Sequence, residues 1–126
     1  MDLLADVLNK IKMAESRGNY ECTVRSTKLV RAVLDTMKKH GYVTNFKEFK
    51  DGKFNSIKIT LSKKINTIGI IKPRYAVGMK DYQKYETRFI PSKDFGILII
   101  STSKGIMTNV EAREQRTGGR LIAYMY

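Results

Sequence analysis

Apolar residues in the first half of the chain switch from helical to alternating spacing and back, which restricts the fold more than any other feature. A helix is predicted over residues 3–15, with Asp2 as its cap, because four apolar residues share one face: Leu4, Val7, Leu8 and Ile11. The next apolar residues, Tyr20, Cys22 and Val24, alternate with polar ones and predict a half-buried strand.

A second helix and a hairpin complete this half. Ser26 or Thr27 would cap the helix, and His40-Gly41 would end it, because the residues between them form one apolar face: Leu29, Val30, Val33, Leu34 and Met37. A strand over residues 42–49 leads to the turn signal Asp51-Gly52, and a returning strand carries alternating Ile57, Ile59 and Leu61. The order predicts an α-β-α-β-β sandwich with both helices on one face of a sheet.

The second half shows mostly strand patterns. Ser62-Lys63-Lys64 is the best boundary, which gives predicted lobes over residues 1–64 and 65–126. Strands are predicted at 65–71, 95–101 and 121–126, and short helices at 80–88 and 108–116, the latter from a capping-box pattern. The predicted fold class is α+β with two small lobes, the C-terminal lobe being mostly β with short helices.

The net charge of +12, from 24 basic and 12 acidic residues, predicts a polyanionic partner. The basic excess is spread over both halves, which favours nucleic acid over a membrane surface. The longest aliphatic run, Ile97–Ile100, is far too short to span a membrane, and no signal peptide is visible. A single cysteine also agrees with a cytosolic protein.

Residue types that support catalysis are scarce. His40 is the only histidine and sits at a predicted helix end, while Cys22 fits a buried position in the core. The carboxylates Asp81, Glu86 and Asp94 have no regular spacing and are expected mostly to pair with lysines. We therefore predict no catalytic site, no metal, no cofactor and no small-molecule substrate.

The segment Ser101-Thr102-Ser103-Lys104-Gly105 is the strongest candidate for binding. Its hydroxyls donate and accept hydrogen bonds, so they suit base edges, ribose hydroxyls and phosphate oxygens. Lys104 adds a positive charge, and Gly105 would let two backbones approach closely. An ordinary turn at a strand end is the alternative.

Two further groups carry basic residues. The polar face of the second helix has Lys28, Arg31, Lys38 and Lys39, which Lys50 and Lys53 of the hairpin could extend; a solvated helix face is equally consistent with the pattern. The other group mixes cations and aromatic rings that could stack on bases, although core packing is the alternative for these tyrosines: Lys72, Arg74, Tyr75, Tyr82, Tyr85 and Arg88.

An ordered set of motifs in the C-terminal third resembles the ribosomal protein S8 family. The motifs are Phe95–Thr108, Glu111-Ala112-Arg113 and Gly118-Gly119-Arg120-Leu121. Residues 2–6, Ile11-Lys12 and 71–74 are also similar to that family, so the resemblance covers nearly the whole chain.

The resemblance implies a two-lobe protein without catalytic activity. Such a protein binds a helix with an irregular internal loop in the central domain of small-subunit ribosomal RNA, and helps to assemble that domain. It lies in the small ribosomal subunit in the cytoplasm, where neighbouring ribosomal proteins are further partners. The resemblance also implies that Ser101, Thr102 and Ser103 are the main RNA contact, flanked by Lys104 and Gly105, and that Gly118-Gly119 is a second RNA-facing element.

Arg120 departs from bacterial members of that family, which usually carry a glutamate after the glycine pair. This feature and the segment 81–91 resemble the archaeal and eukaryotic branch, and the short length favours an archaeal member. No role of the bacterial glutamate can be transferred to Arg120, which we count among the candidate RNA-binding residues.

Two other functions remain open from sequence. A translational regulator that binds its own messenger RNA would have the same composition. A metal-dependent nuclease would need clustered carboxylates, or a histidine near an RNA-facing loop, and neither is visible.

Overall fold

The computed structural model describes residues 3–92 and 95–126, apart from the side chain of Asp51. Asp2 and Asp94, predicted as a helix cap and a partner of lysine, lie outside the described residues. The chain divides into two compact units, unit 1 (Met1–Ile65) and unit 2 (Asn66–Tyr126). Helices and antiparallel sheets occur in both units, so the predicted α+β class with two lobes is confirmed.

Unit 1 has the predicted order of elements. They are α1 (Leu3–Ser16), β1 (Glu21–Arg25), α2 (Lys28–Lys39), β2 (Val43–Asp51) and β3 (Phe54–Leu61). The strands form an antiparallel sheet in the order β1-β3-β2. Thr27 caps α2, since its hydroxyl oxygen accepts a hydrogen bond from the amide of Val30 at 3.1 Å, and Gly41 follows the helix at φ +84°.

The core of unit 1 lies between the helices and one face of this sheet. Ile57, Ile59 and Leu61 are buried, while the residues between them are exposed or half-buried, which confirms the predicted alternation on β3. Tyr20 does not continue the pattern of β1, and the prediction that it is half-buried was wrong. Its side chain is 72% exposed, and the ammonium of Lys63 lies 4.9 Å from the ring centroid.

Unit 2 is a sheet with two short helices. Its elements are β4 (Ile68–Ile70), β5 (Ala76–Val77), α3 (Tyr82–Phe89), β6 (Ile97–Thr102), β7 (Gly105–Thr108), α4 (Asn109–Glu114) and β8 (Gly119–Met125). The strand order is β4-β8-β6-β7, and β5 also pairs with β8. The predicted strand over 65–71 is shorter than expected, and β5 and β7 were not predicted. The predicted capping box of α4 is present at Thr108 and Glu111.

A buried carboxylate joins the helices of unit 2 to its sheet. Glu86 of α3 is 4% exposed and accepts hydrogen bonds from the Asn109 amide and the Arg113 guanidinium. The side-chain oxygen of Asn109 in turn accepts from the amide of Leu98 in β6 at 3.1 Å. The expected pairing with lysine was wrong for Glu86, because its partners come from α4.

We expect Glu86→Ala to lower the free energy of unfolding by about 3 kcal/mol, because it leaves a buried amide and a half-buried guanidinium without their acceptor. Urea denaturation measures the change. Glu114→Ala, an exposed glutamate on α4, is the control and should change stability by less than about 0.5 kcal/mol. Equal effects of the two substitutions would contradict a stabilising role for the buried carboxylate.

Candidate nucleic-acid interface

Four strands of unit 2 bring the predicted binding segments together at one end of the sheet. Ser101 of β6 pairs with Arg120 of β8 on one side and Ile106 of β7 on the other, and Arg120 also pairs with Ala76 of β5. The next row joins Thr102 to Gly119 and Gly105. The serine-rich segment and the glycine pair, far apart in sequence, therefore lie side by side.

Thr102 shapes the turn between β6 and β7. Its hydroxyl donates to the carbonyl oxygen of Gly105 at 2.9 Å and accepts from the amide of Lys104 at 3.1 Å. Gly105 has φ +118°, a backbone conformation that residues other than glycine rarely adopt. The hydroxyl of Thr102 is thus used within the protein, which the sequence did not reveal.

In contrast to Thr102, three neighbouring residues have side chains that face solvent: Ser101, Ser103 and Lys104. All three are exposed, and their side chains make no hydrogen bond or ion pair with any of the residues 3–92 and 95–126. Ser101 points away from α3 and α4, because its neighbour Ile100 is buried in the core cluster beneath those helices. Two serine hydroxyls and one ammonium are therefore available to a ligand at this edge.

Gly118 and Gly119 are required for space and not for an unusual backbone angle. A methyl group on Gly119 would overlap the carbonyl oxygen of Ser101, and one on Gly118 would overlap that of Val77. Both glycines therefore allow β8 to lie close to its neighbours. This close packing fixes the position of the Ser101 backbone at this end of the sheet.

Further cations lie beside this edge. The guanidinium of Arg120 donates to the carbonyl oxygen of Arg74 at 3.3 Å, and the guanidinium of Arg88 lies 5.4 Å from the ring centroid of Tyr75. We use the name sheet-end surface for the exposed residues Arg74, Ser101, Ser103, Lys104 and Arg120. Arg88 is also exposed, but it belongs to α3, on the side of the sheet from which Ser101 points away. Lys72 is also exposed and lies just before Arg74 in the chain.

Tyr85 does not belong to this surface. It is 8% exposed, and its ring stacks between Tyr75, at a centroid distance of 5.6 Å, and Phe89, at 6.4 Å. Because protein rings occupy its neighbourhood, we leave Tyr85 out of the proposed interface. Tyr82 also lies in the core. Its hydroxyl donates to the carbonyl oxygen of Thr117 at 2.6 Å, and burial raises the pKa of that hydroxyl.

The predicted basic residues of unit 1 differ in their surroundings. The Arg31 guanidinium forms an ion pair of 2.8 Å with Glu48. Hydrogen bonds from Ser26 and then Arg31 hold the pKa of Glu48 below its usual range. Arg31 is therefore partly neutralised, whereas Lys28 and Lys53 are exposed cations.

The described residues give little basis for other chemistry. They contain no group of three or more His, Cys, Asp or Glu side chains placed to hold a metal ion. His40 is the C-cap of α2, and burial raises the pKa of the Cys22 thiol, which keeps it protonated and a poor nucleophile. No helix in the described part of the chain is long and apolar enough to cross a membrane.

Comparison with known proteins decides the family. The family model described as ribosomal protein S8 matches residues 2–126. The small ribosomal subunit protein uS8 of the archaeon Methanococcoides burtonii is 42% identical over 127 aligned positions, which cover 100% of this chain and 98% of that protein.

The chain belongs to the ribosomal protein S8 family. The chain is therefore a structural component of the small ribosomal subunit in the cytoplasm, acts in translation and is not an enzyme. The similarity to an archaeal relative agrees with the predicted archaeal type.

We expect Gly119→Ala to lower the free energy of unfolding by about 3 kcal/mol, because the new methyl group must push β8 away from β6. Gly78→Ala is a matched control: its methyl group would meet the nearest atom, an Asp81 carboxylate oxygen, at an ordinary 3.6 Å. Urea denaturation should show that the control lowers the free energy of unfolding by less than about 0.5 kcal/mol. Similar small losses of stability in Gly119→Ala and Gly78→Ala would show that the strands have room to separate.

Proposed function

We propose that this ribosomal protein binds directly to the central domain of small-subunit ribosomal RNA and helps to assemble it. The observation that carries the proposal is the sheet-end surface, where unpartnered serine hydroxyls lie among exposed cations on a rigid strand end. Neighbouring small-subunit proteins are the other proposed partners.

The polar groups of this surface suit an irregular RNA helix. A regular RNA helix has a deep, narrow major groove, so proteins contact its minor groove, its backbone and its unstacked bases. Serine side chains are short and reach only groups that come very close, such as ribose hydroxyls and base edges. An internal loop exposes such groups, which makes it a better match than a uniform duplex.

Each residue of the interface has a distinct role in this proposal. Ser101 and Ser103 hydrogen-bond to RNA, Thr102 and Gly105 hold the turn, and Gly118 with Gly119 allows the strands to pack closely. The cations hold phosphates without reading sequence: Lys72, Arg74, Arg88, Lys104 and Arg120 in unit 2, and Lys28 and Lys53 in unit 1. Arg31 contributes less, because Glu48 already partners it.

We expect Ser103→Ala and Ser101→Ala to weaken binding to the central-domain RNA helix by about 1–3 kcal/mol, since each leaves an RNA polar group unpaired. Binding to an unrelated RNA of equal length should be unchanged, and both variants should fold normally because the serines are exposed. Filter binding at fixed salt, with circular dichroism as the folding check, measures both effects.

The control for this experiment is the double variant Lys28→Ala/Lys53→Ala, which removes two exposed charges. It should weaken binding to both RNAs alike, because lysine contacts the phosphates of RNA of any sequence. If the serine variants also weakened binding to both RNAs equally, the sheet-end surface would not be the element that recognises the central-domain helix.

A further inference from the structure

The sheet of unit 1 has one face that α1 and α2 leave uncovered. Because Ile57, Ile59 and Leu61 point to the buried side, the alternate residues of the three strands point outward. The strand register places them in three rows: Arg25, Ser56 and Phe49; Thr23, Lys58 and Lys47; and Glu21, Thr60 and Asn45. We call these residues, together with Phe54, the open face.

Two aromatic side chains on the open face are exposed. Phe54 is 54% exposed and Phe49 is 39% exposed. The Arg25 guanidinium lies 4.0 Å from the centroid of the Phe54 ring, so it covers one side of that ring and leaves the other side to solvent. An exposed phenylalanine ring has no polar group to hydrogen-bond with water, and a flat ring of this kind stacks readily on a nucleobase.

Cations and polar groups lie directly beside the rings. Lys47 and Lys58 are cross-strand neighbours in the central row, and Lys58 also forms an ion pair of 2.7 Å with Glu21. They line a shallow depression of about 250 Å³, together with Glu21, Asn45, Phe46 and Thr60. Rings next to ammonium groups match the bases and phosphates that alternate along a nucleic-acid strand.

We propose that the open face binds an unpaired stretch of RNA. Phe54 and Phe49 stack on successive bases, with Arg25 supporting the ring of Phe54 from the other side. Lys47 holds the adjoining phosphate, and Lys58 contributes less because Glu21 already partners it. This site goes beyond the function proposed above, since it uses none of the sheet-end residues and takes single-stranded RNA in place of an irregular helix.

Positive charge favours RNA over a second copy of this chain as the occupant. The chain has a net charge of +12, so two copies repel each other, and the open face presents Arg25, Lys47 and Lys58. An extended polyanion with flat, stackable groups is attracted by both features of the face.

The test measures binding of the full chain to a labelled, unstructured oligouridine of about ten nucleotides, by fluorescence anisotropy at low salt. Phe54→Leu and Phe49→Leu should each weaken binding about tenfold, the loss expected for removing one stacked base contact. Phe54→Tyr keeps the ring and should keep the affinity. Phe95→Leu is the matched control, because Phe95 is 53% exposed but belongs to unit 2, and it should bind like wild type.

Three results would overturn the proposal: no binding of oligouridine by the wild-type chain, equal losses for Phe54→Leu and Phe95→Leu, or a dimer in sedimentation that Phe54→Leu abolishes. The central-domain helix is measured in parallel with Ser103→Ala. Loss of the serine effect there, with the phenylalanine effect intact on oligouridine, would reject the function proposed above and leave the open face standing.

Discussion

The close approach of β8 to β6 is the constraint on which the sheet-end surface depends. Gly119 lies so near the Ser101 carbonyl that no side chain fits between them. This approach places Arg120 opposite Ser101, and the same strand carries β5 on its other edge. A serine segment, a glycine pair and the Arg74 region thus share one surface, although they lie in separate parts of the chain.

Rigidity of this surface comes from the layers behind it. Leu98, Ile100 and Leu121 are fully buried under α3 and α4, and Glu86 ties those helices to each other and, through Asn109, to β6. A hydroxyl presented from such a base loses little conformational freedom when it binds. The internal hydrogen bonds of Thr102 extend this order into the turn itself, so the backbone at Ser103 is held in place.

Elements with a long, regular pattern could be predicted from sequence, whereas short elements and long-range contacts could not. The alternation of Ile57, Ile59 and Leu61 and the capping box at Thr108 were both visible, because each depends on residues close in the chain. The strand β7 was missed because its four residues begin with the turn glycine Gly105 and end with the helix cap Thr108, and these two signals dominate the local pattern.

Long-range partners account for the remaining differences at the candidate site. The pairing of Arg31 with Glu48 and the stacking of Tyr85 between Tyr75 and Phe89 join side chains that no spacing rule connects. Sequence therefore singled out Ser101–Gly105 as a candidate binding segment but gave all its hydroxyls one role. The structure separates Thr102, which builds the turn, from the two serines that face solvent.

Directed cleavage of RNA can locate the turn between β6 and β7 on the bound RNA, because the chain has a single cysteine to replace. The variant Cys22→Ser/Lys104→Cys would carry a tethered iron chelate at the turn, and Cys22→Ser alone would give the background. In complexes with full-length small-subunit ribosomal RNA, we expect cuts clustered around one irregular helix of the central domain. Cuts confined to other domains, or none above background in a complex that forms normally, would contradict this expectation.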